Sequence, residues 1–403
     1  MPDPIKFAMR NIPRNKKRTL LTAFSIFTAS VIVTFGIGFF NGICNGVMNN
    51  YVDYSTGNLK VTTALYAKYE RFLPVYEYIE DSGVLVSNLS SIPGVSSVEE
   101  RVRFGIIIGR GEKSEPATGI GIDLLSRKFN LEKKLTGGKL EDEGLYVCSG
   151  LAEKLNIKTG DEILLAASTA ERGLNGIKLR IKGIICTGMS MFDKHAFFID
   201  LQNTRKLLKM KNGITEIFIF TDKNSGLAGL KEKINKILPP GLVLRDPDQQ
   251  TGGLYSIFES LNYAMYFILL LMLMLASFVI VNTMVMAVYE RMKEIGTLKA
   301  LGMTDRGIFL NFTLEGAIIG CIGGISGGLS GYLLVIYSSI KGLNFSAMLK
   351  NRDIPIGIII YPWAGADVLF AAVGMAIVIT VISSAIPAWQ ARKLLPAEAL
   401  RYH

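Results

Sequence analysis

The chain has 403 residues, 49% hydrophobic and 19% charged, with a mean hydropathy of +0.34. Soluble chains carry about 25% charged residues, so the composition excludes a disordered chain and speaks against an ordinary cytosolic enzyme. The formal charge of +10 comes from 44 Lys+Arg against 34 Asp+Glu and leaves a nucleic-acid binder open until the charges are placed along the chain.

Residues 1–18 carry six Lys/Arg and one Asp and are expected to be a cytoplasmic segment. An apolar run follows, densest from Leu20 to Phe40, within a stretch without charge from Arg18 to Asp53. Three further charge-free stretches run Ser260–Tyr289, Gly316–Ile340 and Val368–Ala391. Each exceeds the roughly 20 residues that cross a hydrocarbon core of about 30 Å. Transmembrane helices are therefore expected at 19–41, 260–288, 308–340 and 367–391. The basic start and first run resemble a signal peptide, but the apolar core is longer than the 7–15 residues of that type, and a retained span is expected.

An even number of spans puts both termini on one side. Arg291, Lys293, Lys299 and Arg306 between the second and third runs, and Arg392, Lys393 and Arg401 in the tail 392–403, put that side in the cytoplasm. Lys341, Lys350 and Arg352, in the outer loop 341–366, vote the other way and are outweighed by the N-terminal cluster. Residues 42–259 are then extracytoplasmic. From Asn41 to Glu259 there are 28 Lys/Arg against 26 Asp/Glu. The basic excess thus sits in or beside the membrane, which is a topology signal and removes the case for nucleic acid.

In the outer domain, strands are expected at Gly57–Thr63, Val98–Gly109, Ala117–Ile122, Glu162–Ala167, Ile177–Cys186, Ala196–Asp200, Glu216–Thr221 and Leu242–Arg245. Helices are expected at Gly83–Ser91, Leu201–Met210 and Leu227–Leu238, with a hairpin turn at Gly111–Ser114 and a helix capped by Gly160 after Leu151. The fold class is a membrane α-helical protein with four transmembrane helices and a large α+β extracytoplasmic domain between the first two. That domain is expected to split into an α+β subdomain built from both flanks and an inserted β-rich subdomain at about 131–190.

Chemistry is scarce. Cys44, Cys148, Cys186 and Cys321 lack CxxC spacing, so no metal site is expected; Cys148 and Cys186 read as small buried hydrophobes, with a disulfide as the alternative. His195 and His403 stand apart, and no phosphate loop of the GxxxxGK[ST] type occurs. No catalytic residues are expected. The third run is free of ionisable residues after Glu315, which speaks against a proton relay.

Two patterns stand out. Gly316, Gly320, Gly324 and Gly328 recur every four residues, a spacing that lets helix backbones approach, within the chain or to a second copy. The loop 289–306, YERMKEIGTLKALGMTDR, places Met292, Ile295, Leu298 and Leu301 near one helical face, and Gly302 supplies a stop. It reads as a short amphipathic helix whose charged side meets a soluble partner, or as a membrane-surface helix with a solvated charged face.

The segments YERMKEIGTLKALGMTDRGIFLNFTLEGAIIGCIGG, IPAWQARKLLPAEALRYH, the start MRNIPRNKKRTLLTAFSI, and GGKLEDEGLYVCSGLAEKLNIKTGDEILL with HAFFIDLQNTRKLL resemble ABC-type permeases. That family includes the FtsX and MacB membrane domains and the lipoprotein-releasing (Lol-type) permeases. The resemblance implies a non-enzymatic subunit with no cofactor of its own, ATP and Mg being bound by a partner ATPase dimer. A second permease chain, identical or paralogous, is implied as well, along with membrane lipid and, in Lol-type systems, a lipoprotein substrate and a soluble carrier. The coupling helix within 289–306 would dock the ATPase through Glu290, Arg291, Glu294, Gly296, Lys299 and Gly302. A cavity for acyl chains would be lined by Ile37, Phe40, Tyr263, Tyr266 and Leu269. The function implied is lipoprotein release from the inner membrane. Its alternatives are MacB-like export of a peptide, toxin or antibiotic, and FtsX-like control of a cell-wall hydrolase.

Overall fold

The computed structural model describes residues 16–126, 128–222, 226–251, 253–345 and 359–395. Residues 1–15 of the expected cytoplasmic start, the centre of the outer loop and the end of the tail lie outside them. The chain divides into two units, one of residues 1–44, 259–343 and 360–403, the other of residues 45–258 and 344–359.

The first unit is built on four helices, Lys16–Tyr51, Leu254–Glu290, Asp305–Lys341 and Ala366–Arg392, each long and apolar enough to cross a membrane. They outrun the apolar stretches at both ends, because helix propagation adds one hydrogen bond per residue and does not stop where hydrophobicity does. Between the second and third lies the short helix Met292–Ala300. It ends at Gly302, whose φ of +91° is left-handed. Gly302 N–H donates to Lys299 O and Met303 N–H to Leu298 O, the paired bonds of a Schellman stop. Thr304 then caps the third helix, its hydroxyl accepting from Gly307 N–H at 3.2 Å.

Two rows of glycines organise the third helix. A Cβ on Gly316, Gly320, Gly324 or Gly328 would run against Ser384, Thr380, Ala376 or Val373 of the fourth helix. A Cβ on Gly323, Gly327 or Gly331 would run into Ile26, Phe27 or Thr34 of the first. The small-residue pattern therefore serves packing inside this chain, on two sides at once. Ser30 Oγ uses the close approach to donate to Gly324 O at 3.0 Å.

The second unit is a ten-stranded sheet in the order β10-β1-β9-β2-β3-β8-β5-β7-β4, with β6 pairing β2 and β7. The strands are β1 Leu59–Thr63, β2 Val95–Arg110, β3 Lys113–Ile122, β4 Leu135–Gly138, β5 Leu145–Cys148, β6 Glu162–Ser168, β7 Leu174–Ile185, β8 Ala196–Asp200, β9 Glu216–Thr221 and β10 Leu242–Arg245. Pairing is antiparallel except β3 with β8 and β5 with β7. The central strand β2 is 16 residues long. Its first half, to Arg101, pairs with β9, and its second half pairs with β3 and β6. The α+β flanks and the β-rich part thus share one spine. The β-rich part is wider than 131–190, since the second half of β2, all of β3 and β8 belong to it.

The strand period of two sorts side chains into two cores. Ile217 and Ile219 of β9, Phe197 and Ile199 of β8, and Leu145 and Val147 of β5 enter one. Their neighbours Phe218, Phe220, Phe198, Tyr146 and Cys148 enter the other, a cluster rich in aromatic rings. Cys148 is a buried free thiol and Cys186 a half-buried one; burial pushes both up from the ordinary thiol value. The helix expected to stop at Gly160 runs Ser149–Leu155 and ends at Asn156, φ +51°. Asn tolerates the left-handed conformation, so the helix closes four residues sooner.

Candidate functional site

The segment 289–306 is held by buried charge. Glu315, 1% exposed, lies one residue before the glycine row begins at Gly316, and Arg291 Nη1 donates to its Oε2 at 3.0 Å. Arg291 Nε reaches Glu294 at 3.1 Å, and its guanidinium lies 5.3 Å from the centre of the Phe312 ring. Arg18 of the first helix joins from the other side, 3.0 Å from Glu290 and 3.6 Å from Glu315. The first helix, the third helix and the linker are thereby tied at one carboxylate, and the end of the second helix joins through Arg18 and Glu290. An unpaired carboxylate in such surroundings costs several kcal/mol, so Glu315 and Arg291 belong together energetically. The exposed Arg18–Glu290 contact contributes little, about 0–1 kcal/mol.

A second clamp fixes the other end of the short helix. Lys299 Nζ donates to the carbonyls of Arg392 and Leu394, at 2.5 and 2.9 Å, and pairs with Asp305 at 2.7 Å. Met292, Ile295 and Gly296 are buried, with Ile295 in a core that includes Met284, Val288, Phe312 and Ala388.

These contacts tie several of the residues expected to dock the ATPase to the chain itself. Arg291, Gly296 and Lys299 are turned into the protein and anchor the helix, Gly302 ends it, and Glu290 and Glu294 enter the ionic network. Glu290 and Gly302 stay exposed, and so do Lys293, Thr297, Ala300 and Leu301, which are spaced four, three and one apart, with Leu301 80% exposed. That spacing keeps them on one side of a helix. Arg18, Glu315 and Asp305 were missed by sequence reasoning. A lone acid inside an apolar run was the available signal, because it demands a buried partner.

Of the five residues expected to line an acyl cavity, Ile37, Phe40, Tyr266 and Leu269 come together, joined by Asn41 and Met265. Tyr263 is exposed and not among them. The place is a packed seam without room for a water molecule. Val33, Ile37, Leu269 and Leu273 close it from within, and a Cβ on Gly36 would stand 3.2 Å from Leu269. The first and second helices must part before a chain of methylenes can enter.

Comparison with known proteins places these features in context. Residues 266–396 match the family described as FtsX-like permease C-terminal. The lipoprotein-releasing system transmembrane protein LolC of Xylella fastidiosa is 25% identical over 317 residues, covering 73% of this chain and 75% of its own. An uncharacterized ABC transporter permease of Methanocaldococcus jannaschii is 24% identical over 426 residues, covering 99% of this chain and 98% of its own. The solved periplasmic region of MacB from Actinobacillus actinomycetemcomitans aligns with a TM-score of 0.36 at 13% identity, covering 52% of this chain and 97% of that one. The FtsX-like match takes in most of three of the four apolar helices and the segment 289–306 between the first two of them, so the chain carries an FtsX-like permease C-terminal domain and is similar over most of its length to ABC-type permeases.

Proposed function

We propose that this permease transmits the work of a separate cytoplasmic ATPase to a substrate outside the inner membrane, and that the substrate is a lipoprotein leaving that membrane. ATP and Mg belong to the partner. In this reading both termini and residues 289–306 face the cytoplasm, and residues 42–259 lie outside it. Two permease chains, alike or paralogous, flank one ATPase dimer.

The observation that carries the reading is the short helix Met292–Ala300, locked to the third helix by Arg291–Glu315 and to the end of the fourth through Lys299. A push on the outer strip of Lys293, Thr297, Ala300 and Leu301 passes into the long helices because the clamps leave it nowhere else to go. The LolC relative supports the lipoprotein reading. The packed seam at Ile37 and Leu269 suits apolar chains, each buried CH₂ contributing about 0.8 kcal/mol once the helices part.

The strip is tested by Leu301→Asp in the full chain, purified in mild detergent. Wild type is expected to bring down an ATPase and a second permease chain, and the variant to keep the permease pair and lose most of the ATPase. Undiminished ATPase recovery removes the strip from the docking surface. The substrate is tested by depletion. Lipoproteins retained in the inner membrane support release, whereas normal sorting with altered sensitivity to peptides or antibiotics favours export.

A further inference from the structure

The second unit contains a basic cleft that the coupling reading does not use. Its volume is about 570 Å³, and Lys68, Arg71, Arg103 and Arg245 line it, with Glu70 as the acid among them. Glu70 is already taken. Its Oε1 accepts from Lys60 at 2.5 Å and from Arg103 at 2.6 Å, and its Oε2 accepts from Arg245 at 2.7 Å. Behind it Glu216 is shared by Lys60 at 3.3 Å and Arg103 at 3.2 Å. Two carboxylates therefore face five cations. Lys68 and Arg71 stand exposed at the rim, while Arg103 Nε is buried without a hydrogen-bond partner.

We propose that this cleft binds the phosphate of a small organic phosphate or of a lipid headgroup. Guanidinium forks present paired donors matched to phosphate oxygens, and a charge-assisted bond of that kind is stronger than a neutral one. Three of the four lining cations are arginines. The hydroxyl-bearing residues Ser55 and Thr118 add donors from other directions. That suits a tetrahedral oxyanion better than a planar carboxylate. The volume exceeds what one phosphate fills, which leaves room for a polar organic group beside Ala67 and Leu73.

The test uses the full chain in neutral detergent at constant ionic strength, with thermal unfolding followed as glycerol 3-phosphate is added. Glycerol serves as the uncharged control. A second arm replaces the soluble phosphate with short-chain phosphatidylglycerol. The variant is Lys68→Gln with Arg71→Gln, two exposed rim residues outside the Glu70 ion pairs, so that the fold survives. A saturable rise in melting temperature with glycerol 3-phosphate, weakened at least tenfold in midpoint by the double substitution, supports a free phosphate ligand. The same behaviour confined to phosphatidylglycerol supports a lipid headgroup. No saturable response in either arm, or an equal response in variant and wild type, overturns the proposal and leaves the cluster a purely structural one.

Discussion

Glu216 shows how much rests on one side chain. It is fully buried in β9 and receives Lys60 at 3.3 Å, Arg103 at 3.2 Å and the Tyr66 hydroxyl at 3.2 Å. Burial alone pushes a carboxyl up, but Arg103, Lys60 and Arg101 overcome it and hold Glu216 below its ordinary value of 4.5. An acid whose native value lies below its unfolded one stabilises the fold fully above the unfolded value. That contribution drains away as pH falls through the native value. Glu216→Gln is expected to cost about 3–5 kcal/mol, the scale for removing one partner of a buried pair. Hydrogen exchange on the strands of the second unit is the measurement. The loss of protection on acidifying from about pH 5 towards pH 3 should be shallower in the variant; equal slopes in both proteins would assign the acid sensitivity elsewhere. No sequence pattern marked this acid. A Glu opening a run of alternating Ile and Phe reads as a solvated strand end, and only the fold brings Lys60 from β1 and Arg103 from β2 to meet it.

Among the elements, the third long helix had the clearest signature and the least obvious meaning. Its four-residue glycine spacing was plain from the chain, but whether the face served a second copy or a neighbour in the same chain was open. The structure divides the glycines between the fourth helix and the first. Gly320→Leu should therefore overpack against Thr380, at a cost of about 1–3 kcal/mol or more, read as a lowered melting temperature in detergent. Gly374→Ala, in the fourth helix with nothing within 4 Å of a Cβ, should leave the melting temperature unchanged. If both substitutions behave alike, the close packing described for Gly320 is wrong. Strand elements show a similar divide. Ala196–Asp200, Glu216–Thr221 and Leu242–Arg245 were legible to the residue, because dense β-branched and aromatic runs end at turn formers or a helix start. The four-residue strands β4 and β5 were not. Such short segments owe their extended form to partners in the sheet, β7 for one and β7 with β8 for the other.

For the whole molecule, one apolar helix before a large polar segment and three after it set the topology expected of an inner-membrane permease. Single cysteines introduced in a background lacking Cys44, Cys148, Cys186 and Cys321 test it with a membrane-impermeant thiol reagent. A cysteine at the exposed Lys113 of the hairpin is expected to react in intact cells, and one at the exposed Lys293 only after the membrane is opened. The reverse pattern would invert the orientation and with it the placement of the ATPase. Hydrophobic length and charge bias are local, additive properties of the chain, and so the sequence by itself determined the four spans, the position of the large domain, most strands and the family resemblance. Which charges face a partner and which are consumed inside is not local. Arg291 and Lys299 read as surface charges in the sequence, and the third helix brings Glu315, and the chain at the end of the fourth its carbonyls, into reach of them. Only tertiary structure decides that, because a buried ion pair forms between residues far apart in sequence and its cost of desolvation is met only where the packing brings both partners together.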